Sequence, residues 1–145
     1  MYQKILIALD GSEGSARAVP HAIDLAKGNG GEVIAVHVDE RMVAKGDMPP
    51  VHPNEEQILQ EVRDQVNAIQ SGGVNAELVR TTVIVGGPGS AIAKVAEDVD
   101  ADLIVIGTRG HSSIPGLILG SVAHRLLHVA HRPVLAIPPS AADEK

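Results

Sequence analysis

Two glycine-containing segments carry the residues best suited to chemistry in this chain. The first has the spacing G-x2-G-x9-G-S from Gly107 to Ser121 and follows an apolar run at residues 103–106. The second is Asp10-Gly11-Ser12, which follows an apolar run at residues 4–9. Glycines between a strand and a helix let backbone N–H groups approach an anion closely, and the helix N-terminus adds the positive end of its dipole. The spacing predicts a phosphate-binding site, with Asp10 as a candidate partner for a ribose hydroxyl.

The elements that must position these segments alternate between strand and helix. Short apolar runs predict strands at residues 4–9, 33–38, 79–85, 103–106 and 134–137. Apolar residues at helical spacing predict a helix in each interval. Ser12 is the predicted cap of the first helix, in which Pro20 should cause a kink or remove one hydrogen bond. Five strands and four helices in strict alternation predict an α/β fold, a single open parallel sheet with helices on both faces.

The same patterns predict which residues face the core and which face solvent. The fourth helix should turn its apolar residues toward the core, namely Val122, Leu126, Leu127 and Ala130. The second helix should present its acidic residues to solvent, namely Glu55, Glu56, Glu61 and Asp64. His37 is predicted to be a packed strand residue, with a ligand contact as the alternative. Residues 40–53 are predicted to form an irregular loop, either a lid over a ligand or a disordered connection.

One domain accounts for the chain, because neither an internal repeat nor a composition shift marks a boundary. We expect it to span residues 1–138, followed by a short flexible tail at residues 139–145. In open α/β sheets, ligands bind beyond the carboxyl ends of the strands, where the strand order reverses. Asp10 and Gly107 both follow such carboxyl ends, and they would converge if the first and fourth strands were neighbours. Periodicity alone leaves that strand order open.

Composition excludes several classes of function. The formal net charge of −6 argues against nucleic acid as the main partner. The absence of cysteine excludes disulfides, thiol catalysis and cysteine-bound zinc, and it fits the cytoplasmic location that we expect. Tyr2 is the single aromatic residue among Phe, Trp and Tyr, so a base-stacking platform is not expected. No apolar run reaches the ~20 residues that a membrane span requires, and the chain begins with a strand-like segment rather than a signal peptide.

Other phosphate-binding motifs do not match. A Walker loop requires G-x4-G-K-[ST], which is absent, and the segment after the first strand lacks the dinucleotide fingerprint G-x-G-x-x-G. A receiver domain would need an acceptor aspartate after the third strand, where this chain has Val85-Gly86-Gly87.

The complete spacing from Gly107 to Ser121, together with Asp10, resembles the ATP-binding signature of the universal stress protein family. The resemblance extends over nearly the whole chain, including the opening residues 4–12, Val36-His37-Val38 and the closing residues 132–137. It implies a Rossmann-like three-layer sandwich with the strand order 3-2-1-4-5. In that order the first and fourth strands are neighbours, so the two glycine-containing segments would meet.

The resemblance also implies a site for ATP, or for ADP or AMP, together with Mg²⁺. Asp10 would contact the ribose with Ala8 nearby, the backbone of Val38 would bind the adenine, and Ile106 would line the adenine pocket. The phosphates would be wrapped by Gly107, Gly110, Gly120, Ser121 and Val122. On charge alone, Arg109 could add a positive group, and Asp10 could help to hold the metal through water.

These features favour a non-enzymatic ATP-binding module in stress regulation, with at most slow ATP hydrolysis. Fast hydrolysis would need a positioned base and a phosphate-clamping lysine; the glycine motif has no lysine, and we predict no catalytic residue. The alternatives are an ATP-independent interaction dimer, a slow ATP-using enzyme and a cyclic AMP-binding module. Many family members pair their final strands, and the apolar edge strand Val134–Ile137 predicts a homodimer here, with an unknown regulatory protein as a further partner.

Overall fold

Strands and helices alternate through the computed structural model, which describes residues 1–39, 55–109 and 119–139. The strands are β1 (Lys4–Ala8), β2 (Glu32–Asp39), β3 (Ala76–Thr82), β4 (Leu103–Gly107) and β5 (Val134–Ile137). The helices are α1 (Glu13–Asn29), α2 (Glu55–Ser71), α3 (Pro88–Asp98) and α4 (Ser121–Val129). None of these described helices combines the length and apolar composition needed to cross a membrane. The predicted loop at residues 40–53 and most of the predicted tail lie outside the described residues.

The five strands form one sheet with the order β3-β2-β1-β4-β5, in which every neighbouring pair is parallel. The chain moves outward from β1 to β3 and then returns to β4 on the other side of β1. The strand order therefore reverses between β1 and β4, which is where ligands bind in open sheets of this kind. The strand order implied by the family resemblance is confirmed, and the segments that follow β1 and β4 lie side by side.

Two apolar layers hold the helices against the sheet. On one face, α1 and α2 pack against the sheet through a layer that includes Ile5 of β1 and Val62 of α2, both fully buried. On the other face, α3 and α4 pack against the sheet through a layer that includes Leu6 of β1 and Leu126 of α4, both also fully buried. Successive strand residues point to opposite faces, so the central strands are apolar throughout because both of their faces are covered. The predicted three-layer α/β sandwich is confirmed.

Local sequence signals set the two ends of α1. Ser12 is the N-cap, and its hydroxyl accepts a hydrogen bond from the Ser15 N–H at 3.2 Å, as predicted. Gly30 ends the helix with φ = 67°, a left-handed conformation that glycine adopts without steric cost. Pro20 lies on the exposed side, and α1 continues through it. Proline has no backbone N–H, so α1 lacks one hydrogen bond at that turn.

The predicted bounds of the third strand were wrong at both ends. The prediction was residues 79–85, but β3 spans Ala76–Thr82 because it is an edge strand paired only with β2, whose last partner pair is Asp39 with Thr82. Beyond that pair the chain turns, and Val85 is 99% exposed. Gly86 and Gly87 take positive φ values of 100° and 85° in this turn. The apolar residues after Thr82 therefore belong to a turn and not to a strand.

The predicted inner face of the fourth helix was wrong for Leu127, which is 48% exposed. The face that meets the sheet is centred on Ala123 and Leu126, both buried. Val122 and Ala130 flank this face and pack against the same apolar layer. The prediction favoured Leu127 because leucine is more hydrophobic than alanine. The centre of the buried face is instead the small residue Ala123.

Candidate functional site

The first turn of α1 packs directly against the backbone that leaves β4. A Cβ atom at Gly107 would lie 2.5 Å from the Gly14 carbonyl oxygen, and a Cβ atom at Gly14 would lie 1.8 Å from the Arg109 carbonyl oxygen. Both distances are shorter than any real Cβ contact, so only glycine fits at either position. Gly107 therefore allows a close helix–strand approach, whatever it contributes to a ligand. The sequence did not predict that Gly14 packs beside the candidate site, although a glycine inside a helix was a visible signal.

Asp10 is held at the N-terminus of α1 by a tight turn. Its Oδ1 atom accepts a hydrogen bond from the Ser12 N–H at 2.9 Å and a second one from the Ser12 hydroxyl. Gly11 permits this turn with φ = 78°. The side chain of Asp10 is half-buried, so the carboxylate is both fixed in position and accessible at the edge of the sheet.

A second helix N-terminus lies at the same edge. Gly120 precedes α4, and its N–H donates a hydrogen bond to the Thr108 carbonyl, which fixes the start of the helix beside the end of β4. Gly120 has no side chain with which to cap α4, so no side-chain cap occupies the first N–H groups of that helix within the described structure. Ser121, the first helical residue, is exposed. The Thr108 hydroxyl is buried and has no hydrogen-bond partner among the described residues.

Three predicted site residues form an apolar surface on the face of the sheet that carries α3 and α4. Ala8 and Ile106 belong to the buried layer of that face, and Val38 packs against it. They lie near the carboxyl ends of β1, β4 and β2, which are adjacent strands. Val122 packs against the same layer from α4. These four side chains therefore share one face beside the two helix N-termini.

Of the two remaining predicted site residues, Arg109 is among the described residues and Gly110 is not. Arg109 directly follows Thr108 and is half-buried at the same edge. Gly110 lies outside the described residues, so its place in the site stays a prediction.

A polar cluster that the sequence analysis did not assemble lies on the opposite face at the end of β2. The His37 Nε2 atom is 3.4 Å from Asp39 Oδ1 and 3.6 Å from Glu55 Oε1. His37 is buried, as predicted for a packed strand residue. The solvated position predicted for Glu55 was wrong, because its side chain is only 15% exposed and turns toward His37. The sequence could have placed His37 and Asp39 on one face of β2, because residues two apart in a strand point to the same side. The approach of Glu55 depends on how β2 and α2 pack.

Outside this edge, the Asp102 carboxyl group has a perturbed pKa. The Asp102 carboxylate accepts hydrogen bonds from the N–H groups of Lys4 at 2.9 Å and Gln3 at 3.1 Å. The bond from Lys4 has the largest effect and lowers the pKa of Asp102 below its usual value of 3.8, although desolvation acts in the opposite direction. Asp102 precedes β4 and therefore lies at the amino edge of the sheet, away from the site.

The fold is that of an open, doubly wound α/β protein, and the edge described above lies at its β1–β4 switch point, where proteins of this architecture bind ligands. The family model described as the universal stress protein family matches residues 1–138. The chain is 35% identical over 143 residues to the universal stress protein MJ0531 of Methanocaldococcus jannaschii, covering 94% of this chain and 82% of the relative. The chain belongs to the universal stress protein family, as its motifs predicted.

Two solved structures of this family resemble the fold and contain adenine nucleotides. One is a universal stress protein in complex with cAMP; it has a TM-score of 0.71 and 26% identity, covering 96% of this chain and 98% of that chain. The other is the universal stress protein from Archaeoglobus fulgidus in complex with dAMP; it has a TM-score of 0.71 and 27% identity, covering 94% and 98%.

Proposed function

We propose that this protein binds an adenine nucleotide at the carboxyl edge of β1 and β4, and that occupancy of this site regulates a protein partner in a stress response. The observation that carries the proposal is the convergence of the Asp10 turn with the start of α4, which has no side-chain cap, at the switch point of the sheet. The cAMP and dAMP complexes of two relatives support an adenine nucleotide as the ligand class.

Each part of a nucleotide has a chemically suitable surface at this edge. The apolar face formed by Ala8, Val38 and Ile106 suits the adenine ring, and we expect the Val38 backbone to form hydrogen bonds with that ring. The Asp10 carboxylate suits a ribose hydroxyl, which can donate to it. The N–H groups of Ser121 and Val122 at the start of α4 suit phosphate oxygens, because no side chain among the described residues caps them and the helix dipole favours an anion. Gly120 fixes the start of this helix through its bond to the Thr108 carbonyl.

Charge sets a further requirement, since the protein carries a formal net charge of −6 and a nucleotide is itself an anion. Arg109 supplies one positive group at the edge, and Gly107 and Gly110 complete the proposed phosphate segment. The residues present fit Mg²⁺, because the Asp10 carboxylate offers the oxygen ligands that Mg²⁺ prefers and could reach it through water. When bound, Mg²⁺ would neutralise phosphate charge.

We assign no catalytic residue to this site. The segment from Gly107 to Ser121 contains no lysine to clamp a transferring phosphate. Turnover should therefore fall far below the ~1–100 per second of ordinary kinases. A rate in that range would favour the alternative of an ATP-using enzyme.

We also propose a homodimer through β5 and a cytoplasmic location. β5 is an edge strand of the sheet, and three of its four residues are only half-buried. An apolar edge strand is a template for pairing with another chain, which explains why a second copy would cover it. The cytoplasmic location rests only on the absence of cysteine and stays a prediction.

The nucleotide site can be tested through one backbone N–H at the start of α4. Ser121→Pro removes the N–H at the first helical position, where proline is tolerated, and Gly120 already has the extended ψ of 166° that a following proline requires. Ser121→Ala is the matched control, because it removes the hydroxyl but keeps the N–H. A hydrogen bond to a charged group contributes about 1.5–3 kcal/mol, which is roughly a tenfold to hundredfold change in Kd.

The assay is calorimetric titration of nucleotide-free protein with ATP, ADP, AMP and cAMP, with and without Mg²⁺. We expect ATP to bind the wild type and the Ser121→Ala variant with similar affinity and to bind Ser121→Pro at least about tenfold more weakly. Equal binding by all three proteins would remove α4 from the site. Absence of binding by the folded wild type would favour the ATP-independent interaction dimer, and a preference for cAMP would favour the cyclic nucleotide alternative.

A further inference from the structure

Three buried polar atoms converge at the end of β2 without hydrogen-bond partners among the described residues. They are His37 Nε2, Asp39 Oδ1 and Glu55 Oε1. The whole residues His37 and Asp39 are 3% and 7% exposed. Each of the three side chains offers one atom that could bind a metal ion, and these atoms all lie within 4.8 Å of one another. Buried polar groups normally have partners, so a cluster of three unpartnered atoms that face one point requires a physical explanation.

The other contacts of these side chains fix what the three atoms offer. The His37 Nδ1 atom is 3.0 Å from the Leu9 carbonyl oxygen, which can only accept, so Nδ1 carries the hydrogen. In a neutral imidazole Nε2 then presents a lone pair. It faces two carboxylate oxygens, which are also acceptors. Three lone pairs directed at one point repel each other unless a cation lies between them.

Arg80 orients the Asp39 carboxylate by binding the oxygen that does not face His37. Its Nη2 atom donates to Asp39 Oδ2 at 3.0 Å, which leaves Oδ1 turned toward His37. With Asp39 and Glu55 ionised and Arg80 charged, the cluster has a formal charge of −1. The Leu9 carbonyl orients His37 in the same way that the groups behind metal-bound histidines set the tautomer and the ring position.

The distances favour a bound cation over an ion pair with a protonated histidine. Charge-assisted N–H···O bonds are usually about 2.7–2.9 Å long, whereas the two distances from His37 Nε2 are 3.4 and 3.6 Å. Ligand atoms about 2.1 Å from a tetrahedral metal ion lie roughly 3.4 Å apart. In octahedral coordination at the same bond length, adjacent ligands lie only roughly 3 Å apart. The two distances from His37 Nε2 therefore match tetrahedral coordination.

We propose that His37, Asp39 and Glu55 form a binding site for a divalent transition-metal ion, best suited to Zn²⁺. One imidazole nitrogen and two carboxylate oxygens suit Zn²⁺, whereas Mg²⁺ prefers oxygen ligands alone. Three protein ligands leave at least one position of the tetrahedron for water. The ion would join the end of β2 to the first turn of α2, and through His37 it would also fix the Leu9 carbonyl beside Asp10.

The test compares two adjacent glutamates in the first turn of α2. Glu55→Gln removes a proposed ligand, and Glu56→Gln makes the same chemical change at an exposed position and serves as the matched control. Untagged, chelator-treated full-length protein is titrated with Zn²⁺ by calorimetry, and metal content is measured after dialysis. Titration with Co²⁺ adds a spectroscopic test, because tetrahedral Co²⁺ absorbs visible light much more strongly than octahedral Co²⁺.

We expect the wild type and Glu56→Gln to bind one equivalent that Glu55→Gln loses or binds at least about tenfold more weakly. Removing a group behind a ligand usually costs about 10–100-fold in affinity, so Arg80→Gln should retain the equivalent with weaker binding. Both glutamate variants keep the exposed histidines His124 and His128, so binding there cannot produce the difference. Equal binding by Glu55→Gln and Glu56→Gln, or no bound equivalent in the wild type, would overturn the proposal. A doubly protonated His37 ring in NMR spectra of the metal-treated protein would also overturn it. None of these measurements involves nucleotide, so their result is independent of the proposed function.

Discussion

Two glycines of α1 should respond in opposite directions to the same substitution. Gly14 and Gly28 both lie inside α1, but their surroundings differ. A Cβ atom at Gly28 would meet nothing within 4 Å, whereas one at Gly14 would lie 1.8 Å from the Arg109 carbonyl oxygen. Because alanine restricts the unfolded chain and favours a helix, Gly28→Ala should stabilise the protein by about 0.4–1 kcal/mol.

The clash at Gly14 outweighs that gain. Ordinary contacts begin at 3.4 Å, so the Cβ atom and the Arg109 carbonyl would have to separate by 3.4 − 1.8 = 1.6 Å. The obstacle is backbone rather than a flexible side chain, so α1 must move away from the segment after β4. Overpacking of this kind costs about 1–3 kcal/mol, occasionally more. A change of 1 kcal/mol shifts Tm by about 2–4 °C in a protein of this size, so Gly14→Ala should lower Tm by about 2–12 °C.

The assay is thermal and urea unfolding of the wild type and both single variants, followed by nucleotide titration of the folded proteins. We expect Gly28→Ala to match or exceed the stability of the wild type and to leave nucleotide binding unchanged. Gly14→Ala should lose stability and also weaken nucleotide binding, since the displaced segment carries Arg109. A Gly14→Ala variant as stable as the wild type would refute the conclusion that glycine is required for this close approach.

Two further predictions concern other regions of the molecule. Asp102 has a lowered pKa in the folded state, so its ionised form stabilises the protein above the usual value of 3.8, and this contribution is lost as the pH falls through the lower folded pKa. Asp102→Asn should therefore reduce stability at pH 7 and flatten its dependence on pH in the acid range, as measured by urea unfolding; an unchanged acid profile would contradict the role of the Lys4 and Gln3 N–H groups. In β5, the bonds of the Pro133 and Ile137 carbonyls to β4 leave the Ala136 N–H directed to the open edge. Ala136→Pro should then convert a dimer into a folded monomer in light-scattering measurements, and an unchanged mass would place any dimer interface elsewhere.

The candidate site was predictable where its residues depend on local chain geometry. Asp10 and Gly107 could be assigned to strand ends, because a continuous apolar run followed by glycine marks the end of a buried strand. The Ser12 cap could be assigned because its hydrogen bond spans only three residues. The meeting of these segments required the strand order, which came from the family resemblance and not from periodicity.

Residues whose position depends on a neighbour distant in the chain could not be predicted from the sequence. The third strand ends at Thr82 because its partner β2 ends at Asp39, which no local pattern around Val83–Val85 reveals. Glu55 looked solvated because acidic residues in a first helical turn usually are. Glu55 nevertheless lies close to His37. Because 17 residues separate the two in the chain, no local sequence pattern predicts that contact.

The sequence by itself determined the alternation of elements, the apolar layers, the first helix cap and the family of this protein. Short-range physics suffices for these features, since side-chain periodicity and capping act within a few residues. Tertiary structure alone decided that Gly14 must lie against Arg109 and that His37, Asp39 and Glu55 direct three acceptor atoms at one point. Those features depend on how a helix and a sheet pack in three dimensions. A shift of about 1 Å in that packing would remove the close contact and separate the three acceptor atoms.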